Sequence, residues 1–430
     1  MFFFKKKSIS IKNIIFNGLS YIIFGNFLSK GVALLSSILI ARFVDKSEYA
    51  YLSYADNLYQ YIGLFTGLGL ASALLVVCTP DVSISKQHNY LGKALKYGGV
   101  FEFITALGLC VVVQFVEIPF PSAKKYMWLL LLYPLLTYLF NALQAYIRVK
   151  RNNKLYAGLG AAHTIVVCIF SISLVFILNT IGVVFARYMA VIIVFVAAAF
   201  YIRKADGKVV IESVSKEENK KFLSVGLAMM FANLFSGMMP INEAFIVNNL
   251  IRDEGVTANF KVAGIIPSLL PIITSSVMVY YFPIIAAMKD GQAIKKTIYR
   301  IALINGAVIV LVTVAGILFT PFGIGFVYGE KYTDAAGISY SLWAMRAVNA
   351  AIRMVPLNIL AAVGQSKFSA YVSVASCIVH AALDYVFISI FGINGVAYAS
   401  IIVYVISAAV MWFYLVRICN NIKNLHNKEA

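Results

Sequence analysis

Residues 298–320 read IYRIALINGAVIVLVTVAGILFT, and after Arg300 the run holds twenty residues without a charge. At 1.5 Å per helical residue that run spans about 30 Å, the thickness of a bilayer's hydrocarbon core. Such a helix has lipid as its solvent. Outward from it, comparable stretches recur along the 430 residues, at 17–41, 49–78, 90–116, 126–147, 157–179 and 181–202 before the middle of the chain. The later ones are 222–250, 262–288, 298–320, 335–362, 368–391 and 394–416. Only Asn179, Thr180 and Ile181 mark the break between the fifth and sixth. With 61% hydrophobic and 13% charged residues, the composition lies outside the range of soluble domains. These patterns predict an all-α polytopic membrane protein of about twelve transmembrane helices.

Basic residues give the orientation. If the N-terminus is cytoplasmic, the inner segments hold 25 of the 36 Lys and Arg, the outer segments hold 7, and Lys30, Arg187, Arg346 and Arg353 fall inside spans. That asymmetry places both termini in the cytoplasm. The net charge of +18 therefore follows membrane topology rather than a nucleic-acid face, and no nucleic-acid partner is expected. MFFFKKKSISIK at the start lacks the cleavage site of a signal peptide. It is expected on the membrane surface, with Lys5, Lys6, Lys7 and Lys12 near anionic head groups. The five cysteines, with no C-x-x-C spacing, read as buried small hydrophobes, and four histidines without a ligand-like cluster give no metal site. No cofactor is implied.

The sequence also overlays on itself. Lys154, Ala157, Gly182-Val183 and Ala186 match Lys367, Ala370, Gly395-Val396 and Ala399 at a constant offset of 213. A duplication predicts two six-helix bundles related by a pseudo-two-fold axis along the membrane normal, with substrate between them. The organisation is then an interfacial segment 1–16, a first bundle 17–202, a polar linker 203–221, a second bundle 222–416 and a tail 417–430.

An ionisable side chain near mid-membrane costs about 2.5–3.5 kcal/mol on insertion scales, so each needs a cavity or a partner. Lys30 has Asn26 one turn before it on the same face. Arg346, Asn349 and Arg353 share a face at i, i+3 and i+7, and Arg187 lies in the sixth span. Cations from three helices suit a multivalent anion such as a diphosphate, although a single Arg or Lys can equally snorkel or pair. The acidic residues inside spans are Asp56, Glu102, Glu243 and Asp384. Asp56 with Tyr59 and Gln60 offers a polar face for sugar hydroxyls, and Pro240 should kink the helix that carries Glu243. His380 and Asp384, at i and i+4, form a proton or cation relay in one reading and a structural pair in the other.

The stretches SILIARFVDKSEYAYLSYADNL (37–58), QAYIRVKRNNKLYA (144–157), AAVGQSKFSAY (361–371) and GINGVAYASIIVY (392–404) resemble the Wzx-type oligosaccharide flippases of the multidrug/oligosaccharidyl-lipid/polysaccharide (MOP) exporter superfamily. The resemblance runs over essentially the whole chain. It implies a V-shaped cavity between two bundles in a bacterial plasma-membrane protein. Its implied cargo is an undecaprenyl-diphosphate-linked oligosaccharide, flipped to the outer leaflet by alternating access for O-antigen, capsule or exopolysaccharide. A proton or Na⁺ as coupling ion, a polysaccharide polymerase and chain-length machinery would be its partners. Two rivals remain open from the residues themselves. A multidrug antiporter would prefer an acidic or aromatic cavity, and a glycan polymerase would need larger polar loops than 117–125 and 320–334 provide.

Overall fold

The computed structural model describes residues 20–78, 82–288 and 290–426, so the expected surface segment at 1–16 lies outside the described residues. Among those described, the regular structure is helical throughout, as hydrocarbon demands of a chain that must satisfy its own backbone hydrogen bonds. Six continuous stretches are long and apolar enough to cross a membrane. They are α1 (Ser20–Phe43), α2 (Lys46–Phe65) with α3 (Leu70–Val77), and α4 (Ile84–Lys93) running through a π turn into α5 (Gly99–Phe115). The others are α8 (Asn153–Asp206), α12 (Gly291–Tyr328), and α15 (Ser366–Phe391) with α16 (Gly395–His426). Three bent spans bring the number to nine: α6 (Ala123–Leu129) with α7 (Tyr133–Val149), the two arms of α9 (Lys216–Ile251), and α10 (Glu254–Ile265) with α11 (Leu270–Ala287). The α9 bend falls at residue 236, whose carbonyl the ring of Pro240 opposes.

Two of the long stretches are each a pair of crossings. α8 has 54 residues, about 80 Å of helix, but Asn179 (φ 52°, ψ −138°) folds it back on itself. The stretch from α15 through α16 folds back at Gly392 (φ 61°). With α13 (Ala335–Val348), a π turn at Asn349–Arg353 and α14 (Met354–Ala362), the described residues make the twelve expected crossings.

The duplication is written into the backbone. At both reversals a glycine lies on a carbonyl eight residues earlier: a Cβ on Gly182 would stand 2.3 Å from the Leu174 oxygen, and one on Gly395 2.1 Å from the Phe387 oxygen. All four residues, and the left-handed Asn179 and Gly392, obey the 213 offset. The entry to each hairpin repeats too. Arg151 (φ 60°) and Gly364 (φ 81°) are left-handed, followed by Asn152 N–H donating to Ile147 O and Gln365 N–H to Leu360 O. This helix-ending motif satisfies carbonyls that the previous helix leaves open. Asn152 then caps α8 through the Leu155 amide at 3.1 Å.

Compactness divides the chain into two units. The first comprises the described residues up to Val44, with Ile62–Phe115 and Met127–Phe231. The second comprises Asp45–Tyr61, Val116–Tyr126 and the described residues from Ala232 onward. Early segments join the second unit through a seam along α2. Tyr51 donates to Glu254, Tyr54 to Asn249 Oδ1 at 3.4 Å, Asn57 Nδ2 to the Ile241 carbonyl at 3.1 Å, and Tyr61 to Asn242 Oδ1 at 2.7 Å. Tyr126 donates to Glu48, and Lys46 Nζ reaches the Lys331 carbonyl at 3.0 Å.

In the first unit the chain leaves α2 through four consecutive left-handed residues, Thr66 to Gly69, with φ of 45°, 55°, 59° and 69°. L-residues pay roughly 1–2 kcal/mol each for that conformation, so neighbours must hold the turn. At the far end of α8, Asp206 receives Lys150 Nζ at 2.8 Å and Tyr146 OH at 2.9 Å, with His88 Nε2 at 2.8 Å. Burial pushes the Asp206 carboxyl up, yet the bonds from Lys150, His88 and Tyr146 bring it below its ordinary value.

Candidate functional site

The densest polar cluster in the second unit is assembled by four spans. Glu243 comes from α9, Arg346 from the last turn of α13 and Arg353 from the end of the π turn after it, His380 and Asp384 come from α15, and Ser400, Tyr404 and Ser407 come from α16. Glu243 is 1% exposed. Its Oε2 accepts from Arg346 Nη2 at 2.7 Å, and its Oε1 accepts from Tyr404 OH at 3.2 Å and Ser400 Oγ at 3.4 Å. A carboxylate with three donors, one of them a guanidinium, meets the conditions for a buried charge.

The histidine side of the cluster fixes a proton. His380 Nε2 lies 2.7 Å from Ser400 Oγ, and one proton, of the ring or of the hydroxyl, lies on that contact. His380 Nδ1 faces Asp384 Oδ2 at 3.0 Å, off the line of a good hydrogen bond, with both side chains fully buried. Two bare acceptors would repel at that distance, so one proton belongs to the pair, on the ring or on the carboxyl. Arg353 donates through Nε to Ser407 Oγ at 3.1 Å and lies 5.4 Å from the centre of the Tyr404 ring.

The structure thus brings together Arg346, Arg353, Glu243, His380 and Asp384. The expectation that Arg346, Asn349 and Arg353 share one face of a regular helix gives way to a π turn that begins at Asn349. A π turn inserts a residue and rotates everything after it; Arg346 meets Glu243 of α9, while Arg353 reaches both Ser407 of α16 and, through Nη2 at 3.9 Å, Met239 of α9. Asn349 is half-buried, and its Oδ1 has no hydrogen-bond partner among the described residues. Asp56 is half-buried, Tyr59 buried and Gln60 exposed on α2. Lys30 and Asn26 are exposed on α1 and Arg187 is half-buried on α8, all three in the first unit. Sequence reasoning missed Ser400, Tyr404 and Ser407, although their i, i+4, i+7 spacing is itself a polar stripe in an apolar span.

A twelve-crossing helical chain with a buried ionic network at membrane depth is a multi-pass membrane protein, and its architecture is the MOP exporter fold. The lipid II flippase MurJ in its inward closed conformation superposes with a TM-score of 0.74 at 16% identity, covering 93% of this chain and 89% of that one. An inward-facing multidrug resistance MATE transporter of the MOP superfamily gives 0.66 at 15% identity, over 92% and 96%. A MOP superfamily transporter from Pyrococcus furiosus, described as having a binding pocket of reverse polarity, gives 0.61 at 16%, over 96% of each. Residues 15–289 match the family described as polysaccharide biosynthesis protein, and the chain belongs to that family. A Shigella flexneri protein described as "Putative O-antigen transporter" is 24% identical over 243 residues, 56% of this chain. The match spans 57% of that relative's length.

Proposed function

We propose that this protein flips an undecaprenyl-diphosphate-linked oligosaccharide from the cytoplasmic to the outer leaflet of the bacterial plasma membrane, by alternating access and with both termini cytoplasmic. The family membership, the O-antigen description of the Shigella relative and the flippase among its structural neighbours support that cargo. The two six-helix halves, 17–202 and 222–416 joined by 203–221, are the rocking bodies in this reading.

The observation that carries the mechanism is the Arg346–Glu243 pair. A guanidinium that a diphosphate is to bind must first be released from its carboxylate, since both ligands want the same planar fork. Protonation of Glu243, or occupation of the Glu243–His380–Asp384 cluster by a proton or Na⁺, weakens that carboxylate's hold and frees Arg346. Arg353 holds the second charge, and Asn349, Asp56, Tyr59 and Gln60 of the same unit are the candidates to meet the glycan; in the first unit Lys30 and Arg187 are the candidate cations and Asn26 the candidate polar contact. Departure of the anion restores the Arg346–Glu243 pair. An inside-negative potential favours outward movement of each net negative charge by roughly 2.3 kcal/mol per 100 mV.

The test is complementation of a flippase-deficient strain, reading surface glycan and the lipid-linked intermediate that accumulates inside. Wild type restores display. Arg346→Ala with Arg353→Ala, present in the membrane at wild-type level, should not, and full export by that double variant removes the reading. The neighbours described as multidrug resistance transporters favour one rival, drug export. Drug resistance conferred on a sensitised strain, without glycan display, would select it.

A further inference from the structure

Far from the Glu243 cluster in the sequence, Glu102 on α5 is the most buried carboxyl of the first unit, at 2% exposure. Its Oε1 accepts the Gly67 amide at 2.6 Å, in the middle of the left-handed turn Thr66–Gly69. Its Oε2 is buried with no hydrogen-bond partner among the described residues, and so is the hydroxyl of Thr66 next to Gly67. No Lys, Arg or His among the described residues pairs with Glu102. The titratable group facing it is Tyr138 of α7, whose hydroxyl is committed to the Ala94 carbonyl at 2.8 Å. Thr105, one turn on, spends its hydroxyl on the backbone of Phe101 and Glu102.

The surroundings are built around this contact. Tyr138 fills the space beside both glycines that flank it. A Cβ on Gly67 would stand 2.1 Å from its ring, and one on Gly98, in the π turn Ala94–Gly98 before Glu102, 2.0 Å from its hydroxyl. Gly69 closes the turn against α9, where a Cβ would meet the Gly226 carbonyl at 2.0 Å. The turn therefore touches the side chains of Glu102 on α5 and Tyr138 on α7 and the backbone of α9, and a single side-chain acceptor ties it down.

We propose that Glu102 is a proton-binding site whose occupancy latches the left-handed break between α2 and α3. The proton is taken from water and placed on Oε2, leaving Oε1 to accept from Gly67. Two open oxygens, Glu102 Oε2 and Thr66 Oγ1, fall short of the oxygen shell a metal cation takes, and a proton needs only one. When the proton leaves, one amide donor is poor compensation for a buried carboxylate. The side chain withdraws towards water, the Gly67 amide loses its acceptor, and the turn relaxes towards the right-handed form. α2 and α3 then join, and the Gly69–Gly226 approach changes with them. The site stands on its own geometry and does not depend on what the protein transports.

The experiment uses the full chain in lipid nanodiscs with no substrate. Infrared difference spectra between neutral and alkaline pH should contain the carbonyl stretch of a protonated carboxyl, and that band should be missing in Glu102→Gln. Hydrogen exchange of the peptide covering 66–70, corrected for the chemical rate, should accelerate several-fold as pH rises in wild type. It should stay slow and flat in Glu102→Gln, which keeps the acceptor oxygen, and fast at every pH in Glu102→Ala. A Glu102→Gln protein that retains the band, or retains the pH-dependent exchange, overturns the proposal. Should that variant fail to fold, wild type decides alone: absence of either the band or the exchange transition is a refutation.

Discussion

Replacing Arg346 by alanine tests whether the Glu243 cluster is a buried ionic network. The substitution strands Glu243, at 1% exposure, with only the longer bonds from Tyr404 (3.2 Å) and Ser400 (3.4 Å). Breaking a buried pair by removing one partner costs about 3–5 kcal/mol, because the other charge stays behind. The Arg346 side chain keeps 17% exposure, so the pair is not fully enclosed and the lower end applies. About 3 kcal/mol corresponds to a rise of roughly 150-fold in the unfolding constant. Adding Glu243→Gln to the same chain removes the stranded charge and should recover most of that loss. Reversible unfolding in bicelles, measured for wild type, both single variants and the double, gives the coupling energy directly. If Arg346→Ala costs less than about 1 kcal/mol, the value of an exposed pair, the network is solvated and the reasoning fails.

Three further outcomes follow from the geometry. Gly182→Ala and Gly395→Ala place a methyl 2.3 and 2.1 Å from backbone oxygens that cannot swing away; each should destabilise by at least about 1–3 kcal/mol, whereas Gly108→Ala, with nothing within 4 Å, should be neutral in the same unfolding assay. Asp206, held below its ordinary value, contributes stability that is complete above the unfolded carboxyl's pKa of about 3.9 and is lost as pH falls through the folded value; Asp206→Asn should flatten that acid limb of a stability-against-pH curve. Linking cysteines at Tyr54 and Asn249 with a bifunctional thiol reagent fixes the α2 seam closed and should stop glycan export until the reagent is cleaved. Undiminished export by the linked protein would separate the seam from transport.

The number of crossings was legible because lipid imposes a length and a polarity on every helix, leaving little for tertiary context to decide. Gly182 and Gly395 could be matched from sequence because their roles admit no other residue. The ionic residues Glu243, Arg346, Arg353, His380 and Asp384 stood out because charge in hydrocarbon is costly enough to be rare. Ser400, Tyr404 and Ser407 did not, since hydroxyls are cheap in a membrane helix and bond to their own backbone elsewhere in this chain, as Thr313 and Ser389 do. The π turn at Asn349 was invisible to a 3.6-residue period, which cannot register one inserted residue. The left-handed turn at Thr66–Gly69 was hidden for another reason. Gly67 is required by the ring of Tyr138 and Gly69 by the Gly226 carbonyl, both distant in sequence, and no local pattern carries those demands.

The repeated hairpins bear on how such a protein diversifies. Shifting the cluster residues back by 213 positions gives Val167 for His380, Ser171 for Asp384, Arg187 for Ser400, Val191 for Tyr404 and Val194 for Ser407. Both copies keep the same left-handed corners and glycine contacts, while His380, Asp384, Tyr404 and Ser407 have no residue of the same type at the matching positions. A change of chemistry in one half therefore leaves the corners of both in place, and the scaffold need not be redrawn with it.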